Sequence, residues 1–154
     1  MPIEIEKTFT VPRPIAEVWD FLTDPECIVQ CLPGARLITA IDDHTFRGEI
    51  NMKLGPIGTL FQGVIHFDEL DVDRYHVVIS GEGKDDRGTG HVKLIMISNL
   101  TELDEGGTRV SVSQTVSLMG KLSSFGRGGV IQSVADFVFG RFVDCVQGKL
   151  GADT

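Results

Sequence analysis

The three cysteines are the first side chains in this sequence that could do chemistry. Cys27 and Cys31 lie four residues apart, and Cys145 lies near the end of the chain. A structural zinc site needs four ligands and commonly starts from a C-x2-C knuckle, and neither feature surrounds these cysteines. On a helix, Cys27 and Cys31 would have Cβ atoms about 5–6 Å apart, too far for an unstrained disulfide. We therefore expect three buried apolar thiols, no bound metal and no other cofactor.

The four histidines carry no recognisable catalytic spacing. None of them lies in an H-E-x-x-H pattern or beside a nucleophile elbow. Aspartates close to two of them favour a solvated surface over a general base or a metal site. The sequence therefore predicts no catalytic residue. The histidines are His44, His66, His76 and His91.

Gln114 is the polar residue whose position is hardest to explain. It lies between Val112 and Val116 in a row of strand residues that is otherwise apolar. A buried carboxamide is costly unless it is hydrogen-bonded. A strand bulge or a backbone partner could satisfy it, or it could anchor the polar end of a ligand in an apolar cavity. Both interpretations stay open.

The composition limits the classes of protein to consider. With 154 residues and 42% hydrophobic residues, the chain is expected to form one domain, 1–154, with a substantial core. A net charge of −8 argues against nucleic-acid binding. There is no apolar run of about 18 residues that could span a membrane, so we expect membrane contact to be peripheral at most. The absence of a signal-peptide pattern and the odd cysteine count favour a reducing compartment, the cytoplasm.

The first third of the chain predicts one strand and two short helices. Residues 3–11 alternate between apolar and polar side chains, as a strand does. Ile15, Val18, Trp19 and Leu22 then recur at helical spacing. Asp24-Pro25 marks a second helix start, which we expect to run to about Gln30.

Strands fill the middle of the chain, and a long helix ends it. We predict strands at 36–42, 44–54, 59–70, 75–82, 92–103 and 108–118, with a mobile hairpin or bulge at 81–90. From 122 to 150 no turn signal interrupts the chain. The apolar residues there recur at steps of three and four, which predicts one amphipathic helix. Its apolar stripe comprises Val130, Ile131, Val134, Phe137, Val138, Phe142, Cys145 and Val146.

This order predicts an α+β fold, a curved antiparallel sheet of about seven strands around the long C-terminal helix. The six later strands can form a meander, and the first strand can close its edge. Such a sheet commonly leaves an apolar cavity beneath the helix. The expected wall, which an ordinary packed core would share, comprises Trp19, Leu32, Pro33, Phe46, Met52, Leu54, Phe61, Met96, Gln114, Leu118, Met119, Ile131, Val134 and Val138.

Three glycines at the start of the predicted helix form a candidate gate to this cavity. They are Gly126, Gly128 and Gly129. Small residues there could permit close packing against a strand, or they could leave a loose end that opens and closes. If Gly128 and Gly129 are helical, alanine in their place would stabilise the protein.

Several short motifs carry a resemblance to a known family. They are residues 11–13 (VPR), 18–26 (VWDFLTDPE), 31–35 (CLPGA), 53–58 (KLGPIG), 61–63 (FQG), 107–108 (GT) and 120–126 (GKLSSFG). Over essentially its whole length the chain resembles the carbon monoxide dehydrogenase G-subunit family of the START-like (SRPBCC) helix-grip superfamily. The resemblance implies a helix-grip fold with an apolar cavity and association with a molybdenum-containing dehydrogenase. Some members carry a membrane-directed C-terminal extension, whereas this sequence ends at Thr154, so we expect no such anchor.

Three functions fit these observations. The first is a carrier of a lipid- or quinone-like molecule that acts as an accessory or recruitment factor for a carbon monoxide-type dehydrogenase. The second is a polyketide cyclase-like enzyme that uses the same cavity, and the third is a ligand-free assembly adaptor. The sequence favours a non-enzymatic role without deciding it. It leaves a homodimer open.

Overall fold

The computed structural model describes residues 2–54, 57–88, 90–126 and 129–151. Within these ranges the chain forms seven β-strands, three α-helices and one 3₁₀ helix. The strands are β1 (Ile3–Val11), β2 (Ala35–Asp42), β3 (Thr45–Leu54), β4 (Ile57–Asp71), β5 (His76–Asp85), β6 (Gly90–Glu102) and β7 (Thr108–Gly120). The α-helices are α1 (Ile15–Leu22), α2 (Pro25–Cys31) and α3 (Val130–Gly151), and the 3₁₀ helix Lys121–Gly126 precedes α3.

These seven strands form one antiparallel sheet in the order β1-β7-β6-β5-β4-β3-β2. Strands β2 to β7 follow one another as a meander. Strand β1 closes the far end by pairing with β7, from Ile3 opposite Val116 to Val11 opposite Thr108. The two edges of the sheet are therefore β1 and β2. The predicted α+β fold, with its meander and its closing first strand, is confirmed.

One face of the sheet carries the apolar core, and we call it the inner face. Side chains alternate between the two faces of a strand. In β1 the odd-numbered Ile5, Phe9 and Val11 are buried, whereas Glu4 and Glu6 are exposed. Cross-strand pairing continues the inner face through the even-numbered residues of β7, β6 and β3. In β5, and in β4 up to its bulge at residues 67–69, the odd-numbered residues point inward.

The core consists of two apolar clusters. The larger cluster contains Phe9, Trp19, Phe67 and Val146 and joins α1, α2 and the C-terminal half of α3 to the sheet. The smaller cluster has Ile5, Phe61, Leu122 and Ile131 as its buried members and lies at the N-terminal end of α3. The long helix therefore packs over both clusters.

Contacts with β1 hold one side of α3. The Phe9 ring meets the Phe139 ring edge to face at 5.6 Å between centroids. Lys7 forms an ion pair with Asp136. Gln147 Nε2 donates a hydrogen bond to the backbone oxygen of Thr10 at 2.7 Å. The helix is thus joined to one edge of the sheet by packing, by charge and by a hydrogen bond.

The two short helices form where their start signals predicted them. The carboxylate of Asp24 accepts a hydrogen bond from the backbone N–H of Glu26 at 3.0 Å. Pro25 then occupies the first turn of α2, where its missing N–H has no partner to lose. These local signals are independent of the rest of the fold.

The prediction of one helix from 122 to 150 is wrong at its start. The chain first makes the 3₁₀ helix, and Gly129 then adopts a left-handed backbone with φ of 76° before α3 begins at Val130. A left-handed residue ends regular helical geometry, and glycine adopts it without steric cost.

The predicted apolar stripe of α3 is also partly wrong. Phe137 is 57% exposed, and its ring contacts the Arg141 guanidinium at 5.3 Å. Phe139 and Val143, which the predicted stripe omits, pack against the larger cluster instead. The helix has apolar residues nearly all round, so their spacing alone does not select the buried side.

The third difference concerns residues 81–90, predicted as a mobile hairpin or bulge. β5 continues to Asp85, and β6 begins at Gly90. Gly81 and Gly83 are paired strand residues, opposite Leu94 and Val92 of β6. Glycine commonly signals a turn, but it also occurs within strands.

Candidate functional site

Glycines create a bare area on the inner face of the sheet. Gly48 of β3 lies opposite Gly63 of β4, and Gly63 lies opposite Gly83 of β5. Gly81 lies next along β5, between Ile65 of β4 and Leu94 of β6. We call the four glycines the glycine floor. No side chain rises from these positions toward α3.

Ile65 shows that the area beside this floor is open. It lies on the inner face between Phe61 and Phe67, which are only 8% and 6% exposed. Ile65 itself is 43% exposed. An isoleucine on a core face is normally covered by its neighbours. Neither α3 nor the two apolar clusters cover this one.

The space available for a side chain differs among the glycines of the floor. A Cβ at Gly63 would lie 2.0 Å from the backbone oxygen of Glu82, so the strands there approach too closely for any side chain. A Cβ at Gly81 would lie 3.7 Å from the nearest backbone oxygen, and one at Gly83 would lie 3.6 Å from its nearest. Those are ordinary contacts. Packing therefore requires glycine at 63 and leaves room for a larger residue at 81 and 83.

Gln114 lies on the inner face, between Ile5 of β1 and Met96 of β6. Within the described part of the chain, its amide has one hydrogen-bond partner, the Met96 sulfur, which lies 3.7 Å from Nε2. A thioether sulfur is a weak acceptor. Gln114 is partly exposed, and within the described residues the protein itself uses little of the amide's hydrogen-bonding capacity.

Many of the predicted wall residues are part of the two apolar clusters. They lie on the inner face or on the elements that cover it. An ordinary packed core also places them there, so their role as a cavity wall stays a prediction. Trp19, Phe46 and Met96 belong to the larger cluster, and Met52, Phe61, Leu118, Ile131 and Val134 belong to the smaller one.

The other predicted wall residues have different positions. Leu32, Pro33 and Val138 are partly buried. Leu54 ends β3, and its side chain lies outside the described residues. Met119 is a correction to the predicted wall: it follows Leu118 in β7, and successive strand residues point to opposite faces.

The three predicted gate glycines do not share one environment. Gly126 ends the 3₁₀ helix, where a Cβ would lie 3.7 Å from the Ile3 side chain. Gly129 has the left-handed backbone described above, and a Cβ there would meet nothing within 4 Å. Gly128 lies outside the described residues. Close packing therefore does not explain Gly129, and its backbone conformation does.

The comparison with protein families decides the identity. The family of the carbon monoxide dehydrogenase G-subunit (CoxG) matches residues 8–151. The chain belongs to the CoxG family. No curated protein matches this sequence significantly.

Solved structures share the fold at low sequence identity. A conserved protein from Geobacillus kaustophilus is 18% identical, with a TM-score of 0.85, and the match covers 97% of this chain and 96% of that one. The Zhui aromatase/cyclase from Streptomyces sp. R1128 is 13% identical, with a TM-score of 0.71 and coverage of 98% and 94%. A START superfamily protein from Mycobacterium smegmatis is 13% identical, with a TM-score of 0.66 and coverage of 98% and 99%. The CoxG-family chain therefore has the START-like helix-grip fold, as predicted.

The cysteines of this CoxG-family chain depart from the prediction of three free thiols. Cys31 at the end of α2 and Cys145 in α3 form a disulfide, with Cα atoms 5.3 Å apart. Cys27 remains a thiol, and burial together with the nearby Asp24 carboxylate raises its pKa. The pairing spans 114 residues of sequence, which spacing along one helix cannot reveal. Cysteine usage therefore no longer argues for a reducing compartment.

A concavity lies on the outer face, behind part of the glycine floor. It has a volume of about 390 Å³, and it is lined by Ile38, Arg47, Gly48, Glu49, Gln62, Gly63 and Val64. Glu49 forms an ion pair with Arg36 and accepts a hydrogen bond from Gln62 at 3.4 Å. This groove lies on the outer side of β2, β3 and β4, on the face opposite to α3.

Asp85 is a buried acid that sequence reasoning missed. It lies on the inner face opposite Phe61 and is only 6% exposed. Its inward direction follows from the alternation of β5, which is not evident when 81–90 is taken as a loop. In the described ranges, no group of three or more His, Cys, Asp or Glu residues is placed to hold a metal ion. None of the described helices is long and apolar enough to cross a membrane.

Proposed function

We propose that this CoxG-family protein carries an elongated apolar molecule, lipid- or quinone-like, in the space between the glycine floor and α3. The observation that carries the proposal is the exposure of Ile65 on a face that otherwise forms the core. An adaptor with a filled core has no reason to leave an inner-face isoleucine uncovered.

The energetics of this site favour an apolar ligand. The surroundings of the floor are aliphatic and aromatic, with Ile65, Leu94 and Phe46 on the inner face. Covering roughly 100 Å² of apolar surface contributes about 2.5 kcal/mol through the hydrophobic effect. Gln114 supplies one polar group that can orient the ligand within these surroundings.

Family membership supports the second part of the proposal, a role beside a carbon monoxide-type, molybdenum-containing dehydrogenase. A dehydrogenase in water whose electrons end in a membrane pool needs an intermediary for an apolar electron acceptor. In this role the protein acts as an accessory or recruitment factor in the cytoplasm. It performs no chemistry on its ligand.

Native mass spectrometry of protein purified from its own host tests the proposal. We expect a bound mass in the range of an isoprenoid lipid or quinone, which is released when the protein is unfolded. The purified protein should also take up decylubiquinone after delipidation. If only the mass of the unliganded protein is detected, both as purified and after incubation with decylubiquinone, the result would support the ligand-free adaptor instead.

A polyketide cyclase-like enzyme is the second candidate, and Asp85 is the observation that favours it. A buried carboxyl group on the inner face is the kind of group that general acid–base chemistry uses. The two proposals differ in the fate of the ligand. A carrier returns its ligand with unchanged mass after prolonged incubation, whereas an enzyme returns a product.

A further inference from the structure

We propose that the Cys31–Cys145 disulfide is a redox-controlled clasp that limits ligand entry and exit, an inference that rests on the proposed carrier function. We call this disulfide the clasp. In its oxidised form the clasp holds α2 against α3. In its reduced form the two helices can separate.

The position of the clasp in the fold gives it this effect. The sheet has two edges, β1 and β2, and α3 lies across the face between them. On the β1 edge α3 is held by the Lys7–Asp136 ion pair and by Gln147. On the other side α2 packs beside β2 and joins α3 through Cys31 and Cys145. The disulfide therefore fixes α2 to α3 on the β2 side of the sheet. Without it, packing alone would hold the two helices together there.

Apart from the disulfide, α2 and α3 are held together here mainly by apolar packing. The Cys145 sulfur lies 3.8 Å from the backbone oxygen of Gln30, but a disulfide sulfur carries no hydrogen and donates no hydrogen bond there. Ile28, Val146 and Leu150 add packing within the larger apolar cluster. Non-directional packing of this kind tolerates a small separation of two helices better than a covalent bond does.

The clasp is accessible from one side. Cys31 is only 3% exposed, whereas Cys145 is partly exposed. A dithiol reductant can therefore attack the Cys145 sulfur, with Cys31 leaving as a thiolate that takes up a proton. The second thiol of the reductant resolves the mixed disulfide. Two electrons and two protons reach the protein as two thiols, and the reductant becomes a cyclic disulfide.

The third cysteine does not compete in this exchange. The Cys27 thiol contacts the Asp24 carboxylate at 3.5 Å. Its raised pKa keeps it protonated at neutral pH, and the thiol is a much poorer nucleophile than the thiolate.

The experiment measures how fast a bound probe leaves the full-length protein. The probe is dansyl-undecanoic acid, whose fluorescence reports binding and which thiols do not reduce. Wild type is compared after treatment with oxidised glutathione and after treatment with dithiothreitol. Cys145→Ser removes the clasp, and Cys27→Ser is the matched control that keeps it. Alkylation of unfolded samples counts the thiols, with one expected in oxidised wild type and three after reduction.

Reduction should accelerate probe release roughly tenfold, which corresponds to a barrier lower by about 1.4 kcal/mol. Cys145→Ser should release the probe quickly under both conditions, and Cys27→Ser should respond as wild type does. Equal release rates in every sample would overturn the clasp, as would three alkylated thiols after oxidation. If no sample binds the probe, the carrier function fails. The clasp is then judged by hydrogen exchange, and unchanged protection of α2 and α3 on reduction would contradict it.

Discussion

At the scale of single residues, Gln114 is a neutral polar group among apolar residues of the inner face. Its amide donates to a thioether sulfur, so a stronger acceptor such as a carbonyl oxygen would be a better partner. A hydrogen bond between neutral groups contributes about 0.5–1.5 kcal/mol net. That amount orients a ligand whose affinity comes mainly from apolar contact.

The substitution Gln114→Leu separates a ligand-binding role from a structural one. We expect the melting temperature to stay the same or to rise, because the change removes only a weak hydrogen bond and adds apolar surface. The affinity for decylubiquinone should fall by up to about tenfold. Gln62→Leu, on the outer face of β4, is the control and should bind as wild type does. A marked loss of stability with unchanged affinity would identify Gln114 as a structural residue.

The residue scale is also where prediction from sequence is weakest. Cys27 and Cys31 are neighbours in sequence, yet the partner of Cys31 is Cys145, because the fold brings the end of α2 beside α3. Asp85 resembles a loop residue in the sequence because glycines flank it. Both errors concern contacts that exist only after the strands and helices have packed together.

At the scale of elements, strand positions are largely predictable, because apolar and polar residues alternate in them. The buried side of α3 is not. Phe137 and Phe139 are both apolar, and only packing against Phe9 selects Phe139 for the core. The start of α3 is missed because Gly129 has a left-handed backbone conformation. Glycine can adopt this conformation but does not have to, so the sequence alone does not predict it.

Two alanine substitutions test the boundary of α3. Gly129→Ala forces a side chain into the left-handed region and should destabilise the protein by about 1–2 kcal/mol. Gly140→Ala, in the middle of α3 with open space around its Cβ, should stabilise it by about 0.5–1 kcal/mol. Urea unfolding of both variants measures the two free-energy changes. An increase in stability from both would mean that Gly129 is helical, and the sequence-based prediction of a helix through this residue would stand.

At the scale of the whole molecule, α3 contacts the β1 edge of the sheet, α2 contacts β2, and the glycine floor leaves a bare area on the inner face beside the exposed Ile65. The overall architecture follows from the order of strands and helices in the sequence. The location of the bare area does not, because it depends on four glycines from three strands that pairing brings together. Residues two apart in a strand lie on the same face. The spacing of Gly81 and Gly83 is therefore the sequence signal that could have indicated the bare area.

The most direct test of the central claim is the binding of decylubiquinone to Gly81→Val. A Cβ at 81 lies 3.8 Å from the Ile65 side chain, so valine fits the strand and fills the space beside Ile65. Ser80→Val places the same side chain on the outer face of the same strand and is the matched control. We predict that both variants remain folded and that the affinity of Gly81→Val alone falls by at least about tenfold, or 1.4 kcal/mol. Equal affinity in wild type and both variants, or no binding by wild type, would contradict a ligand site above the glycine floor.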